Sequence, residues 1–378
     1  MYFCDGEVGL LNSTDVFVIG GGPAGLAAAI AARQKGFRVV VADGAQGPID
    51  KPCGEGMMPD GLAALENLGV TVPAEDSYPF RGLRFLTDGL AVDAAFPNGA
   101  SGRGVRRTVL HQLIAERAES LGIDFLWRTP VTGISEDGVH LSDRVVKARW
   151  IIGADGGSSR VRRWAGLEEF RSRDCRYAFR KHYRIAPWTD RMELYWGPHG
   201  EIYVTPVAKD QVCVALISRN PKLRLEEGLE LFPELRERLL GVEAGSSEKG
   251  SLTATCKLRR VTRENVALIG DASGTVDAIT GEGLCLAFSQ AMVLADCLEH
   301  GDLARYEREH RKLALRPLLM ARLMLLLDGR PKLQRRTLQA FQRRPYVFKR
   351  LLSLHMGVLS PLHLAVDGLT LGWGLLTA

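Results

Sequence analysis

The chain has no Cys-x-x-Cys pair. Its seven cysteines (positions 4, 53, 175, 213, 256, 285 and 297) are odd in number and scattered. That pattern excludes a disulfide framework and a zinc site, and points to reduced thiols in a cytoplasmic protein. An excess of one charge is also missing: 49 Lys and Arg against 44 Asp and Glu leave a net +5. No recognisable nucleic-acid module accompanies the basic residues, so no nucleic-acid partner is expected. The first fifteen residues carry Asp5 and Glu7 and lack a basic stretch followed by a long apolar core. They read as a short leader and not as a signal peptide. What remains is ordinary for a globular enzyme, with 46% hydrophobic and 25% charged residues over 378 positions. That length allows two domains, or one large domain with an insertion.

Against this plain background the glycines are informative. The apolar run Val16-Phe17-Val18-Ile19 flows into Gly20-Gly21-Gly22-Pro23-Ala24-Gly25 and then an alanine-rich helix, Ala27–Lys35. In this Gly-x-Gly-x-x-Gly, Gly20 allows a tight turn, Gly22 lets backbone approach a pyrophosphate, and Gly25 lets helix pack on strand. The helix start, Pro23-Ala24-Gly25, faces the phosphate oxygens and offers them unpaired N–H groups from Ala24 and Gly25. A second buried strand, Arg38–Ala42, delivers Asp43, 18 residues past Gly25. That is close to the spacing at which a carboxylate accepts from a ribose hydroxyl.

Two more apolar strands end in Gly/Asp turns. Ile151-Ile152-Gly153-Ala154-Asp155-Gly156 leads into small residues and a basic helix start, where Ser158 could equally act as an ordinary N-cap. Val266-Ala267-Leu268-Ile269-Gly270-Asp271 leads to a glycine-flanked turn, Gly281-Glu282-Gly283-Leu284, which opens a helix to about His300. Amides in such a turn can face a polarised carbonyl or a developing anion. Between them, residues 170–258 alternate as strands (Tyr177–Ile185, Met192–Trp196, Ile202–Val207, Val212–Ile217) around one helical stretch, 225–240. The fold class expected is α/β (α+β overall). A Rossmann-type dinucleotide-binding domain (14–75, 100–165 and 260–300) carries an inserted antiparallel substrate domain (76–99 and 166–259). A helical region, 301–378, follows.

These motifs in this order resemble the flavoprotein hydroxylase superfamily, which takes its fold from p-hydroxybenzoate hydroxylase and includes the geranylgeranyl-reductase-like oxidoreductases. The resemblance implies that Gly20, Gly22, Gly25 and Asp43 serve FAD pyrophosphate and ribose, and that Arg107, opening an Arg-x-x-Leu helix, contacts FAD. It also implies that Asp155-Gly156 serves FAD and NAD(P)H, and that Gly270-Asp271 holds the ribityl region. Lys51-Pro52-Cys53-Gly54-Glu55 looks like the Cys-Gly segment of the geranylgeranyl-reductase branch, which places Cys53 and Gly54 beside the flavin. The stretch Gly200–Pro206 stands where that branch has an aromatic-x-Trp-x-Phe-Pro lipid motif, but here Tyr203 stands alone. The Trp-x-Trp-x-Ile-Pro signature of flavin-dependent halogenases is absent.

The resemblance implies FAD as cofactor and NADPH or NADH as reductant. The first expectation is a monooxygenase acting on a hydrophobic aromatic or polyketide-like substrate through a flavin C4a-hydroperoxide. The alternative is an ene-reductase saturating C=C bonds of a hydrophobic substrate, and a third reading is a flavin-binding protein without turnover. Cys53 and Tyr203 are the candidate catalytic residues, with His182 a further candidate to hydrogen-bond substrate and Tyr195 and Trp196 candidate cavity wall. Arg33, Lys51 and Arg107 form a basic set expected near the cofactor phosphates. In the C-terminal region, Arg330, Lys332, Arg335, Arg336, Arg343, Arg344, Lys349 and Arg350 fall within 21 positions among apolar residues. Such a basic amphipathic stretch can lie on an anionic membrane or cap the substrate cavity. Residues 356–378 are apolar enough to raise a membrane span, but Pro361, Asp367 and four glycines favour packed hairpins.

Overall fold

A computed structural model describes residues 12–87 and 89–359. Two continuously apolar runs build the centre of the first domain. In the strand Ser13–Ile19, Val16, Phe17 and Val18 are fully buried, and in Val39–Asp43 so are Val40, Val41 and Ala42. Burial on both faces is what a parallel sheet covered by helices requires. The strand order is Thr262–Arg263, Val266–Leu268, Val145–Gly153, Ser13–Ile19, Val39–Asp43, Asp124–Trp127. All neighbours run parallel except the edge pair of 262–263 with 266–268. Helix Pro23–Gln34 presents Leu26 through Ala32 as an unbroken buried run. Its small alanines let helix Gly283–Glu299 pack closely against it.

The second sheet has the order Lys249–Leu258, Phe170–Tyr183, Gln211–Ser218, Glu201–Ala208, Met192–Trp196, Gly82–Thr87, Leu90–Ala95. It is antiparallel except where Gly82–Thr87 joins Met192–Trp196 in parallel, so the antiparallel expectation needs that amendment. The chain reaches that pairing from separate segments and not through a hairpin. One face carries Phe85, Leu194, Trp196, Tyr203 and Ile217 towards the C-terminal helices. The other carries Ile202, Val204, Val214 and Leu216 onto the helices Leu225–Leu229 and Pro233–Leu239, two short helices where one stretch is expected. Tyr195 and Trp196, both read as cavity wall, point to opposite faces: Trp196 meets Phe85 at 4.6 Å, and Tyr195 meets Phe232 at 6.1 Å. Alternation along a strand makes this unavoidable for neighbours.

A three-stranded sheet (Gly56–Met57, Gly102–Gly104, Tyr78–Phe80) bridges the two larger ones and carries residues 51–55 between them. Residues 13–15, read with the leader, begin the first strand. Helices Leu303–Leu327, Pro331–Arg343 and Pro345–His355 follow. Leu338 and Phe341 turn inwards, with Phe341 stacked on Phe348 at 4.8 Å and Phe348 on Phe85 at 5.3 Å. The apolar stripe of the basic region therefore covers the substrate sheet, while Lys332, Arg335, Arg336, Arg343 and Lys349 face outwards. Among the described residues no helix is long and apolar enough to cross a membrane. The hairpins expected over 360–378 lie outside the described residues.

A buried ion cluster fastens these parts together. The Arg176 guanidinium, wholly inaccessible, pairs with Asp277 and with Glu201 at 2.7 Å, and reaches Asp328 at 3.6 Å. It thus joins the substrate sheet to the 277–281 turn and to the C-terminal helices. Arg176→Ala would strand buried carboxylates and should cost about 3–5 kcal/mol in urea unfolding. Arg176→Met combined with Asp277→Asn should recover part of that loss. A single mutant as stable as the parent would refute the role.

Candidate functional site

The strands Ser13–Ile19, Val145–Gly153 and Val266–Leu268 are adjacent and parallel, so their C-terminal ends lie side by side. Three Gly/Asp turns separated by hundreds of residues therefore share one sheet edge, the place where open α/β sheets bind ligands. Gly20 has φ +114°, and a side chain there would overlap the Ala154 carbonyl; one at Gly25 would overlap the Gly20 carbonyl. Gly21, not singled out from sequence, is also confined, because a Cβ would strike the Trp127 ring. Gly22 alone opens to free space. It is the N-cap of helix Pro23–Gln34, which has no side-chain cap, and Pro23 has no N–H to satisfy. The uncapped first turn and the open Gly22 fit a phosphate, which would supply the missing acceptors.

Asp43 ends its strand with Oδ2 accepting from the Gly21 amide (2.7 Å) and Oδ1 from the Ala45 amide (2.8 Å). A carboxylate keeps lone pairs beyond these two bonds for a ribose hydroxyl. His111 Nε2 bonds the Gly21 carbonyl at 2.8 Å from the opposite side, locking the turn. Burial holds the His111 imidazole below its usual range, hence neutral.

Asp155 accepts from the backbone N–H groups of Arg160 (2.6 Å) and Val161 (3.2 Å). The N-cap of the following helix, Arg160–Trp164, is Ser159, whose hydroxyl accepts from the Arg162 amide at 2.9 Å. Ser158, the sequence candidate, is one residue too early. Gly156 has φ +83°, and the Lys51 ammonium lies beside it. Buried Arg162 donates to the carbonyls of Gly157 (2.9 Å) and Ala272 (3.2 Å), riveting the second turn to the third. Its basic neighbours in sequence hide this role. Gly270, at φ +57°, donates its N–H to Gln290 Oε1 at 2.9 Å. Crowding by the surrounding protein raises the carboxyl of Asp271, whose surface is still accessible, above the usual range, with Lys51 and Arg107 opposing. The Arg107 Nε is buried with no protein partner, an orphan donor aimed where a cofactor acceptor would satisfy it. Arg33 does not join this set. It sits at the far end of its helix, donating to the carbonyls of Leu121 (2.9 Å) and Phe37 (3.3 Å).

Gly281 takes the left-handed conformation (φ +67°), and helix Gly283–Glu299 starts without a side-chain cap, a second N-terminus open to an acceptor. Leu284 packs onto the core of the first domain. Between the glycines, Glu282 turns away into the protein. It meets Arg316 at 3.3 Å and His355 Nδ1 at 3.4 Å. Tyr203 is bound up in structure as well. Its hydroxyl donates to the Ile279 carbonyl at 2.7 Å and so holds the turn that precedes Gly281. Burial pushes its pKa well up, keeping it protonated.

The 51–55 segment crosses from this edge to the substrate sheet. Cys53 Sγ accepts from the Glu55 amide at 3.4 Å, and burial raises its thiol pKa, so the thiol is not a preformed thiolate. Gly54 is exposed beside it. Glu55, 3% exposed, holds a left-handed backbone (φ +59°), a conformation that costs a non-glycine residue about 1–3 kcal/mol. Its carboxylate binds the Arg107 amide (3.0 Å) and His182 Nε2 (2.6 Å). Glu55, His182 and Cys213 bring ligand-type atoms within 4.8 Å of one another. Arg180 lies 3.9 Å from Glu55 and 3.2 Å from His182 Nδ1, so the carboxylate is neutralised by protein and the imidazole lone pair is taken. Sequence reading passed over Arg180 and the Glu55–His182 pairing, because 127 positions separate the partners. A cavity of about 730 Å³ lies elsewhere, at the opposite ends of the parallel strands around Ser13, Lys147 and Asn265.

The parallel sheet and its glycine-bearing edge have the form of a dinucleotide-binding domain, with a second, mostly antiparallel sheet beside it. The FAD binding domain family matches residues 13–227, more than half of the chain, and the protein belongs to that family of flavin-dependent oxidoreductases. A menaquinone reductase of Mycobacterium tuberculosis is 31% identical, with 78% of each chain covered. A digeranylgeranylglycerophospholipid reductase of Methanosphaera stadtmanae is 26% identical over 77% of this chain and 80% of its own. A flavoprotein/dehydrogenase from Cytophaga hutchinsonii superposes with TM-score 0.81 at 20% identity, covering 91% and 93% of the two chains. Solved chains of the same fold also include FAD-dependent monooxygenases, so fold alone does not choose between oxygenation and reduction.

Glu282 gives this site a pH signature. Burial pushes its carboxyl up to about 8 from 4.5, so the folded state keeps a proton that the unfolded chain has lost. Stability then falls as pH rises from about 4.5 to about 8. His355, pushed by burial down to about 4 from 6.5, contributes the opposite slope between those values. Above 6.5 the His355 contribution is spent, and buried Glu201 (raised to about 7) shares the fall only up to about 7. Glu282→Gln should therefore flatten the fall in urea stability most clearly between about 7 and 8. A slope unchanged in the variant would overturn this assignment.

Proposed function

We propose that this flavoprotein is a reductase that saturates C=C bonds of a hydrophobic, prenyl-bearing substrate, drawing hydride from NADPH or NADH. The observation that carries the reading is the position of residues 51–55. This segment runs from the Lys51 ammonium beside Gly156, through Cys53, to a buried carboxylate paired with His182 on the substrate sheet. Reduction of an isolated double bond needs a hydride on one carbon and a proton on the other. Bound FAD would supply the hydride chemistry. The protein would supply the rest: phosphate anchorage at Gly22 and the first helix, positive charge at Lys51 and Arg107, and a protonatable pair at the seam between the domains. The apolar face of the second sheet is filled by Phe85, Trp196, Phe341 and Phe348 under the C-terminal helices, and a hydrocarbon chain would enter by parting that cover. The names of the menaquinone and geranylgeranyl-lipid reductases supply the same substrate class as an analogy. Oxygenation, the first expectation from the motifs, keeps the shared fold in its favour.

With FAD-loaded enzyme, NAD(P)H and a prenylated quinone or phospholipid, the expected product gains two hydrogens and forms without oxygen. A product gaining one oxygen, formed only in air, would replace this reading with the monooxygenase one. The outward basic residues of Pro331–Arg343, beside the exposed Tyr346, further support peripheral contact with an anionic membrane that holds such substrates. The protein should float with anionic vesicles at low salt and detach at high salt; failure to float at low salt would count against the contact.

A further inference from the structure

Behind Glu55, a chain of short hydrogen bonds leaves the cofactor cleft and reaches the protein surface. His182 is completely buried. Its Nε2 lies 2.6 Å from Glu55 Oε2, and its Nδ1 lies 2.7 Å from the Ser246 hydroxyl. Ser246 is half-buried and lines an open cavity of about 770 Å³ shared with Lys181, Arg224, Glu226 and Glu248. Each contact along this path lies at the length of a well-made hydrogen bond.

The charges around the imidazole set the direction of the bonds. Arg180 Nη1, 3.2 Å from Nδ1, can only donate, so Nδ1 carries the lone pair and Nε2 carries the hydrogen given to Glu55. The other groups facing the ring are Glu55 and the Cys213 thiol, which burial keeps protonated. Arg180 is in turn paired with Asp50, and Asp50 with Lys249 at 3.1 Å. On its other contacts Glu55 donates its amide to Cys53 Sγ and accepts at its carboxylate from the Arg107 amide. The Ser246 hydroxyl has a second acceptor within reach, the Ser247 carbonyl at 3.2 Å, so it can turn between the ring and the surface.

We propose that Ser246, His182 and Glu55 form a proton wire that carries protons from solvent into the cofactor cleft. This rests on the reading of that cleft as the place where substrate is reduced. For each double bond saturated, one hydride and one proton are consumed. The hydroxyl of Ser246 passes its proton to His182 Nδ1 and takes another from solvent. His182 passes the Nε2 proton to Glu55, and Glu55 passes it into the cleft and returns to carboxylate. The ring is then the Nδ1–H tautomer, and it is reset by proton exchange once product has left: Nδ1 returns its hydrogen to solvent through Ser246, and Nε2 takes one from Glu55, which is reprotonated by water entering the emptied cleft. No atom is gained or lost by the protein over the cycle. The strained backbone of Glu55 fits this role, because it aims the carboxylate at His182 while the adjoining residues line the cleft.

His182 and Ser246 act through Glu55 and are positioning residues, so their test needs a readout that mere packing would not move. In apoprotein, ring ¹⁵N shifts should show the His182 hydrogen on Nε2 and a bare Nδ1; a hydrogen on Nδ1 would overturn the scheme. In FAD-loaded protein without substrate, photoreduction in weak buffer with an indicator dye reports proton uptake directly. His182→Gln, which keeps hydrogen bonds but cannot relay, should slow uptake by about a hundredfold. Ser246→Ala, near the surface and safe for folding, should slow it in the same direction and by less. Imidazole added to His182→Ala should restore part of the rate. Wild-type uptake in both His182→Gln and Ser246→Ala would refute the wire while leaving the product-mass test of C=C reduction untouched. Slowed uptake with a product that gains oxygen would keep the wire and remove the reductase reading.

Discussion

Backbone crowding at the carboxyl edge of the parallel sheet is the constraint on which the rest depends. The turn after Ile19 passes so close to Ala154 that Gly20 admits no side chain, and the helix that follows presses Gly25 against the Gly20 carbonyl. Trp127 closes the third side at Gly21, and His111 the fourth. Only Gly22 is left open, which turns a packing solution into a binding surface: the single relaxed position is the one at an uncapped helix N-terminus. Arg162 then ties the Asp155 turn to the Gly270 turn, so all three strand ends behave as one rigid floor.

A floor of this kind binds a nucleotide but does not specify a reaction. Specificity must come from the second sheet, and its connection to the first is electrostatic and costly to break. Arg176 is buried with its carboxylates in place of the hydrophobic residues that would pack there at least as stably. Such an arrangement fixes geometry: Asp277 begins the turn to Gly281, Tyr203 holds its middle at Ile279, and Asp328 belongs to the C-terminal helices. One guanidinium thereby registers the substrate sheet, the second uncapped helix start and the cover over the apolar face.

The nucleotide half was legible in the sequence because its chemistry is local. Gly20–Gly25, Asp155-Gly156 and Gly270-Asp271 each follow an apolar strand within a few positions, and strand order places them together by the rules of open α/β sheets. Helix ends slipped by a few residues, as with Ser158 against Ser159, because small polar residues in succession compete for one capping site. The seam between the sheets was not legible. Arg176 with Asp277 and Glu55 with His182 are pairings across more than a hundred residues, and nothing in either segment announces its partner. Tyr195 and Trp196 fail for another reason: both are aromatic strand residues, and only the register decides which face each takes.

That division bears on how the branch of this family is to be argued. The motifs that bind FAD are shared by reductases and oxygenases, so they cannot separate a hydride destined for carbon from one destined for oxygen chemistry. What can separate them is the polarity of the space between cofactor edge and substrate sheet. At the seam between the sheets stand a protonated thiol at Cys53 and a carboxylate at Glu55 buttressed by Arg180 and His182. A buried carboxylate hydrogen-bonded to an imidazole is a place to store and move a proton. Its backbone strain, held by pairing on three sides, indicates that the surrounding structure maintains this geometry against a local cost. Under the proposed reading, a proton held at this seam and hydride from FAD would together serve a carbon acceptor, and the choice between reduction and oxygenation turns on that local chemistry because the cofactor motifs are common to both.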